Sequence, residues 1–136
     1  MVRSKVARRV GAGAAGLALA AALIAPDALG HTTATAPKLV GKPKAGKAIF
    51  ISTCGACHTL KAAGTPGTLG PNLDTAAKPL TEALIIKAIT NGGSSIMTKA
   101  AIAKYTTTMT PYKGALTPTV INNIAAFIYT STHPAK

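Results

Sequence analysis

The sequence contains few large aromatic side chains and few cysteines. Its 136 residues include no tryptophan, two phenylalanines, three tyrosines and two cysteines. A domain of roughly 100 residues with so few large side chains has a thin hydrophobic core. A buried apolar group would supply the missing mass, although composition alone does not require one.

Two cysteines also limit the kinds of site that the chain can build. A structural zinc site needs four ligands, and His31 and His133 are isolated near the expected ends of the mature chain. A thioredoxin-like dithiol needs a βαβ context, and no alternating strand pattern is present. A disulfide across two intervening residues closes a very short loop and stabilises little.

Acidic residues are scarce as well. Three acids accompany 15 lysines and arginines, which gives a net charge of +12. From His31 onward the charged residues are 11 lysines and two acids, Asp74 and Glu82. This excess predicts attraction to acidic patches on partner proteins or to anionic membranes. Nucleic acid is not expected as a partner, because no recognised nucleic-acid-binding motif is present.

The first 30 residues have the pattern of an export signal. Residues 1–10 carry four basic side chains, residues 11–25 are apolar, and Pro26 ends the run. An apolar run of this length falls short of the ~20 residues of a membrane span. We therefore predict a signal peptide over 1–30, with an uncleaved anchor that associates with the membrane as the alternative. Export would place the protein in the periplasm or on the outer face of the cytoplasmic membrane.

The remaining chain divides into a linker and one domain. Residues 31–42 are small, polar and proline-containing, and they predict a flexible linker. Residues 43–136 form the predicted domain. Cleavage after Gly30 is favoured over cleavage after Ala36, because Gly30 lies closer to the apolar run.

The segment Cys54-Gly55-Ala56-Cys57-His58 is a C-x-x-C-H motif. This pattern is typical of covalent c-type haem attachment. Cysteines three residues apart share one face of a helix, so both thiols can reach the two vinyl groups on one porphyrin edge. The adjacent His58 can offer an imidazole nitrogen to the iron. The motif predicts one covalent haem c, bound through Cys54 and Cys57, with iron ligated by His58.

Capping residues and apolar spacing predict three main helices. The first runs from Pro43 to about Thr53, with Gly46, Phe50 and Cys54 on one face. The others cover residues 81–90, capped by Thr81, and 118 to near 130, capped by Thr117. Their predicted apolar faces are Leu84, Ile85, Ala88 and Ile89, and Val120, Ile121, Ile124, Phe127 and Ile128. Residues 61–79 predict an irregular loop, and 98–105 a short helix.

Ordered motifs across roughly residues 43–131 resemble the class I monohaem c-type cytochromes, which are small exported electron carriers. Gly46 and Phe50 precede the attachment motif at the family's usual offset, and residues 69–73 are similar to its Gly-Pro-x-Leu loop. Residues 109–117 resemble its Met-Pro-x-aromatic segment before the last helix. The sequence departs from the family where proline follows Met109 by two residues instead of one, and where the stretch between Asn91 and Met109 is longer.

The resemblance implies an all-α cytochrome c fold wrapped around one haem. Its first and last helices would cross, with Gly46 and Phe50 against Ile124 and Phe127. It further implies that the carbonyl of Pro71 accepts the second ring N–H of His58, which orients the ligand. Tyr112 is the family's aromatic residue and a second candidate cofactor contact.

The second iron ligand is expected to be a methionine, because His/Met ligation is usual in cytochromes c. Met1 leaves with the signal, so Met97 and Met109 are the candidates. Met109 is favoured because its distance from the last helix matches the family. Met97 remains the alternative, because it follows an Asn-Gly approach seen in some members.

The function implied is one-electron transfer, as in a respiratory chain, without enzymatic activity or a small-molecule substrate. Redox proteins with acidic docking surfaces are the expected partners, steered by lysines such as Lys61, Lys78 and Lys113. One alternative is a haem c subunit of a larger redox complex, which would expose an apolar patch on residues 92–108. Another is a haem enzyme or sensor with an open iron position.

Overall fold

Five α-helices supply most of the regular structure in residues 38–135, which are the residues that the computed structural model describes. They are α1 (Pro43–Thr53), α2 (Leu73–Ala76), α3 (Glu82–Asn91), α4 (Lys99–Ile102) and α5 (Pro118–Thr132). Two strands of two residues each, β1 (Thr59–Leu60) and β2 (Thr65–Pro66), pair in antiparallel fashion. The predicted signal peptide and residues 31–37 of the predicted linker lie outside the described residues. Between 38 and 135, the helices are too short or too polar to cross a membrane.

Helices α1 and α5 cross at close range. An added Cβ on Gly46 would lie 2.0 Å from the backbone oxygen of Asn123 and 2.9 Å from the nitrogen of Ile124. One turn further along α1, the rings of Phe50 and Phe127 pack with centroids 5.8 Å apart and planes tilted by 60°. The crossing and its contacts confirm the arrangement that the resemblance implied.

Two of the three main helices, α3 and α5, begin at the predicted capping residues. The hydroxyl of Thr81 accepts a hydrogen bond from Leu84 N at 3.3 Å, and that of Thr117 accepts from Val120 N at 3.4 Å. Each bond satisfies a backbone donor that has no partner in the first turn. Thr98 caps α4 in the same way. Helix α3 ends at Asn91, and the next residue, Gly92, has a φ of +87°, which favours glycine.

Two predictions about local structure were wrong in part. The loop over residues 61–79 contains strand β2, a short 3-10 helix at Lys61–Ala63 and helix α2. The buried hydroxyl of Thr65, which accepts from Leu60 N at 3.1 Å, helps to hold the hairpin despite the surrounding glycines. On α3, Ile85 and Ile89 are buried as predicted, but Leu84 is 37% exposed.

The chain enters the domain through residues 40–42. The carboxylate of Glu82 accepts hydrogen bonds from Val40 N at 3.0 Å and from Gly41 N at 3.4 Å. Lys42 N donates to the side-chain oxygen of Asn123 at 2.8 Å. These bonds attach the end of the predicted linker to the first turn of α3 and to α5.

Candidate functional site

The two cysteines lie in a tight turn that directly follows α1. Helix α1 ends at Thr53, and Cys57 N and His58 N both donate to Cys54 O, at 3.1 and 3.0 Å. The turn, and not a continuous helical face as predicted, therefore brings the three side chains together. Cys54 is buried, Cys57 is half-buried, and both are free thiols.

Burial affects the acidity of Cys54. Desolvation, followed by the nearby Cys57, raises the pKa of the Cys54 thiol to about 11. The thiol is therefore neutral at physiological pH. Among the described residues, no cluster of three or more His, Cys, Asp or Glu side chains could hold a metal ion, and the isolated His31 lies outside that range.

His58 is fixed by the loop that contains Pro71. The ring Nδ1 lies 2.9 Å from the carbonyl oxygen of Pro71. A carbonyl can only accept a hydrogen bond, so Nδ1 carries the proton and Nε2 keeps its lone pair. His58 is thereby held in the tautomer in which Nε2 can bind a metal.

The same loop packs tightly on the cysteine turn. Gly70 N donates to Cys57 O at 2.8 Å, and Thr65 Oγ1 donates to His58 O at 2.9 Å. A Cβ on Gly70 would lie 2.6 Å from Cε1 of the His58 ring, and one on Gly67 would lie 2.6 Å from Ala56 O. Glycine at these two positions lets the loop approach the turn and the ring.

One cavity of about 680 Å³ adjoins both cysteines and His58. Its lining is mostly apolar and includes Phe50, Leu73, Ile85, Ile89 and Ile128. Met97 and Met109 line it too. The Sδ atoms of both methionines lie 3.8 Å from the position that a Cβ on Gly93 would take.

Pro71 and Tyr112 also line this cavity. Tyr112 is half-buried, and its backbone N donates to Ile89 O at 3.0 Å, which attaches the Met109 segment to α3. Burial, followed by the charges of Cys54 and Cys57 when ionised, raises the pKa of the Tyr112 hydroxyl. The structure therefore places all seven predicted site residues at one cavity.

The volume and chemistry of the cavity fit a large apolar cofactor. The cavity is partly open to solvent, and its volume lies within the roughly 300–1,000 Å³ that is usual for cofactor and ligand sites. Two thiols, an imidazole with a free Nε2 and two thioethers suit a porphyrin attached by thioether bonds and an iron with nitrogen and sulfur ligands.

A family model described as Cytochrome c matches residues 43–132. The chain belongs to the cytochrome c family. The cofactor of this cytochrome c family member is a covalently attached haem c with its iron, and its function is electron transfer. Searches of curated proteins and of solved structures found no match.

Sequence reasoning missed several residues of this cytochrome site. Gly70 and Gly93 line the cavity beside the candidate ligands, and only their spatial neighbours show why glycine is needed there. Lys104 lines the cavity, whereas Lys61, Lys78 and Lys113 are exposed but do not line it. The length of the 92–108 stretch was the one available signal, since nine residues from 96 to 108 contribute to the lining.

The apolar patch expected for a subunit of a larger complex does not lie on residues 92–108. Exposed side chains in that stretch are those of serine, threonine, lysine and alanine. The large hydrophobic side chains that are exposed in the described part of the chain are Val40, Ile51, Leu69 and Leu84.

Proposed function

We propose that this protein is an electron carrier that works outside the cytoplasm. It would carry electrons through a haem c whose iron is ligated by His58 and Met109. The observation that carries the proposal is the shared cavity, at which both cysteines, His58 and two thioethers meet. His58 is already held in the tautomer that a metal ligand requires. Met109 is assigned over Met97 because of its spacing from α5.

When bound, haem c supplies a one-electron couple between ferric and ferrous iron. Cys54 and Cys57 would hold the porphyrin edge through thioether bonds. The thioether of Met109 would favour the ferrous state and raise the reduction potential. Pro71 would orient His58 and increase its basicity through the bond to Nδ1. The apolar lining would exclude water from the iron, so that the iron transfers electrons without reacting with a substrate.

The proposed location rests on the N-terminal sequence, and the proposed partners rest on the surface charge. Residues 1–30 carry the features of a signal peptide, which supports a periplasmic location or one on the outer face of the membrane. All ten lysines in residues 38–135 are exposed. The carboxylates of Asp74 and Glu82 accept hydrogen bonds from the backbone of Lys61, Val40 and Gly41. Such a surface would attract redox partners with acidic docking sites.

The exported, purified protein tests this function through its iron ligands. With 13C-methyl methionine incorporated, an axial methionine is identified in the reduced protein by the ring-current shift of its methyl resonance. We expect Met97→Leu to keep this resonance, because Met109 supplies it, and to bind CO as slowly as the wild type. Loss of the resonance in Met97→Leu would overturn the assignment of Met109. Rapid CO binding by the wild type would contradict a closed electron carrier.

A further inference from the structure

Two thioethers converge on one glycine at the cavity. The sulfur atoms of Met97 and Met109 are equally distant, at 3.8 Å, from the Cβ position of Gly93. Both side chains are half-buried, and both line the cavity that His58 lines. One iron ligation site requires one thioether, so the second has no role in the proposed function.

The backbone around both methionines is lightly held. Met109 O accepts from Gly93 N at 3.3 Å, and the next backbone anchor is Tyr112 N to Ile89 O. In residues 106–111, no backbone N–H donates a hydrogen bond to another residue of the described range 38–135. Met97 lies between the 3-10 helix Gly93–Ser95 and α4. Segments with few backbone hydrogen bonds open and shift at low free-energy cost.

We propose that Met97 is a reserve iron ligand, which binds the iron when Met109 is absent or displaced. The proposal rests on the assignment of Met109 as the resident ligand. The two side chains carry the same donor atom, which lies beside the same glycine at the same cavity. Replacement of one by the other therefore restores the same ligand type and keeps the iron closed to small ligands.

A packing role for Met97 predicts a different result. Methionine often fills irregular gaps without any bond to a metal. If Met97 only packs, removal of Met109 leaves an open iron position whether or not Met97 is present. If Met97 is a reserve ligand, its contribution appears only after Met109 has been removed.

The test compares the exported haem protein as Met109→Ala with the double variant Met97→Leu/Met109→Ala. In reduced Met109→Ala we expect a new ring-current-shifted methionine methyl resonance, which the double variant lacks. A ligand that closes the iron in nine-tenths of the molecules lowers the apparent CO affinity about tenfold relative to the double variant. Covalent haem content and far-ultraviolet circular dichroism confirm that both variants are folded.

Met109→Leu is measured in parallel because leucine preserves the side-chain volume. If both variants at position 109 bind CO as tightly as the double variant and show no shifted methyl resonance, the reserve role is overturned while Met109 remains the ligand. If Met97→Leu alone loses the wild-type resonance, Met97 is the resident ligand, and both proposals fail.

Discussion

His58 is constrained on two sides, by a hydrogen bond and by a glycine. Pro71 O accepts from Nδ1 at 2.9 Å, and a Cβ on Gly70 would lie 2.6 Å from Cε1 and 3.0 Å from Nδ1. Distances this short require the ring to move. Gly70→Ala is therefore expected to weaken the Nδ1 bond and make His58 a poorer donor to the iron.

A poorer donor stabilises the ferric state less, so the reduction potential of Gly70→Ala should rise. A hydrogen bond contributes about 0.5–1.5 kcal/mol. With ~59 mV per tenfold change for one electron, the expected rise is roughly 20–60 mV by redox titration. The control is Gly64→Ala, which strains a φ of +69° but has no atom within 4 Å of the new Cβ. Equal potentials in the two variants would contradict this role of Gly70.

The chemistry of individual residues could be predicted only in part. Cys54, Cys57 and His58 were evident because attachment needs a fixed spacing along the chain. Gly70 and Gly93 were not, because their role depends on atoms 12 to 16 residues away, namely the His58 ring and Met109. Spacing favoured Met109 over Met97 as the ligand, but it did not reveal that both sulfurs lie beside the same glycine, Gly93.

The crossing of α1 and α5 depends on the absence of a side chain at Gly46. A Cβ there would overlap the backbone of Asn123, which has no flexible end that could move aside. Overpacking costs about 1–3 kcal/mol, whereas alanine recovers at most about 1 kcal/mol of helix propensity. We expect Gly46→Ala to lower the free energy of unfolding, as measured by denaturant titration of the haem protein.

The matched control for Gly46→Ala is Lys47→Ala, at the next and exposed position of α1. A surface change of this kind alters stability by about 0.5 kcal/mol or less. If Gly46→Ala were as stable as Lys47→Ala, the helices would have to separate without loss of packing, and close approach would not explain the glycine.

Helices were more predictable than the segments between them. Thr81 and Thr117 mark helix starts through a local interaction with backbone groups three residues ahead, which the sequence contains in full. The exposure of Leu84 depends on which part of α3 faces its neighbours, and periodicity does not supply that information. Strands β1 and β2 depend on a hydrogen bond between Leu60 and Thr65 that composition does not reveal.

The protein as a whole has a small core of its own. Among residues 38–135 the largest fully buried side chains are Phe50, Leu60 and Ile124, and the cavity is lined by apolar residues of α1, α3 and α5. We expect the haem to complete this core.

The double variant Cys54→Ser/Cys57→Ser cannot form thioether bonds. It should lose most of its helical circular dichroism signal and unfold without a cooperative transition. Cys54→Ser alone retains one attachment and is the control. Cooperative unfolding of the double variant would contradict a haem-dependent core.

Positive charge covers the described domain, with ten exposed lysines and two acids whose carboxylates accept backbone hydrogen bonds. Small redox ions test the electrostatic attraction of this surface without a protein partner. Oxidation of the reduced protein by the anion hexacyanoferrate(III) should slow by at least about tenfold from low to high salt, because screening shortens the range of attraction. Reduction of the oxidised protein by the cation hexaammineruthenium(II) should accelerate over the same range.

Two lysine variants test where this attraction is directed. Lys104→Glu, at the cavity, should reduce the salt dependence with the anion more than Lys47→Glu, which lies on α1 and outside the cavity lining. The same salt dependence for both ions, or equal effects of the two variants, would contradict steering toward the haem site.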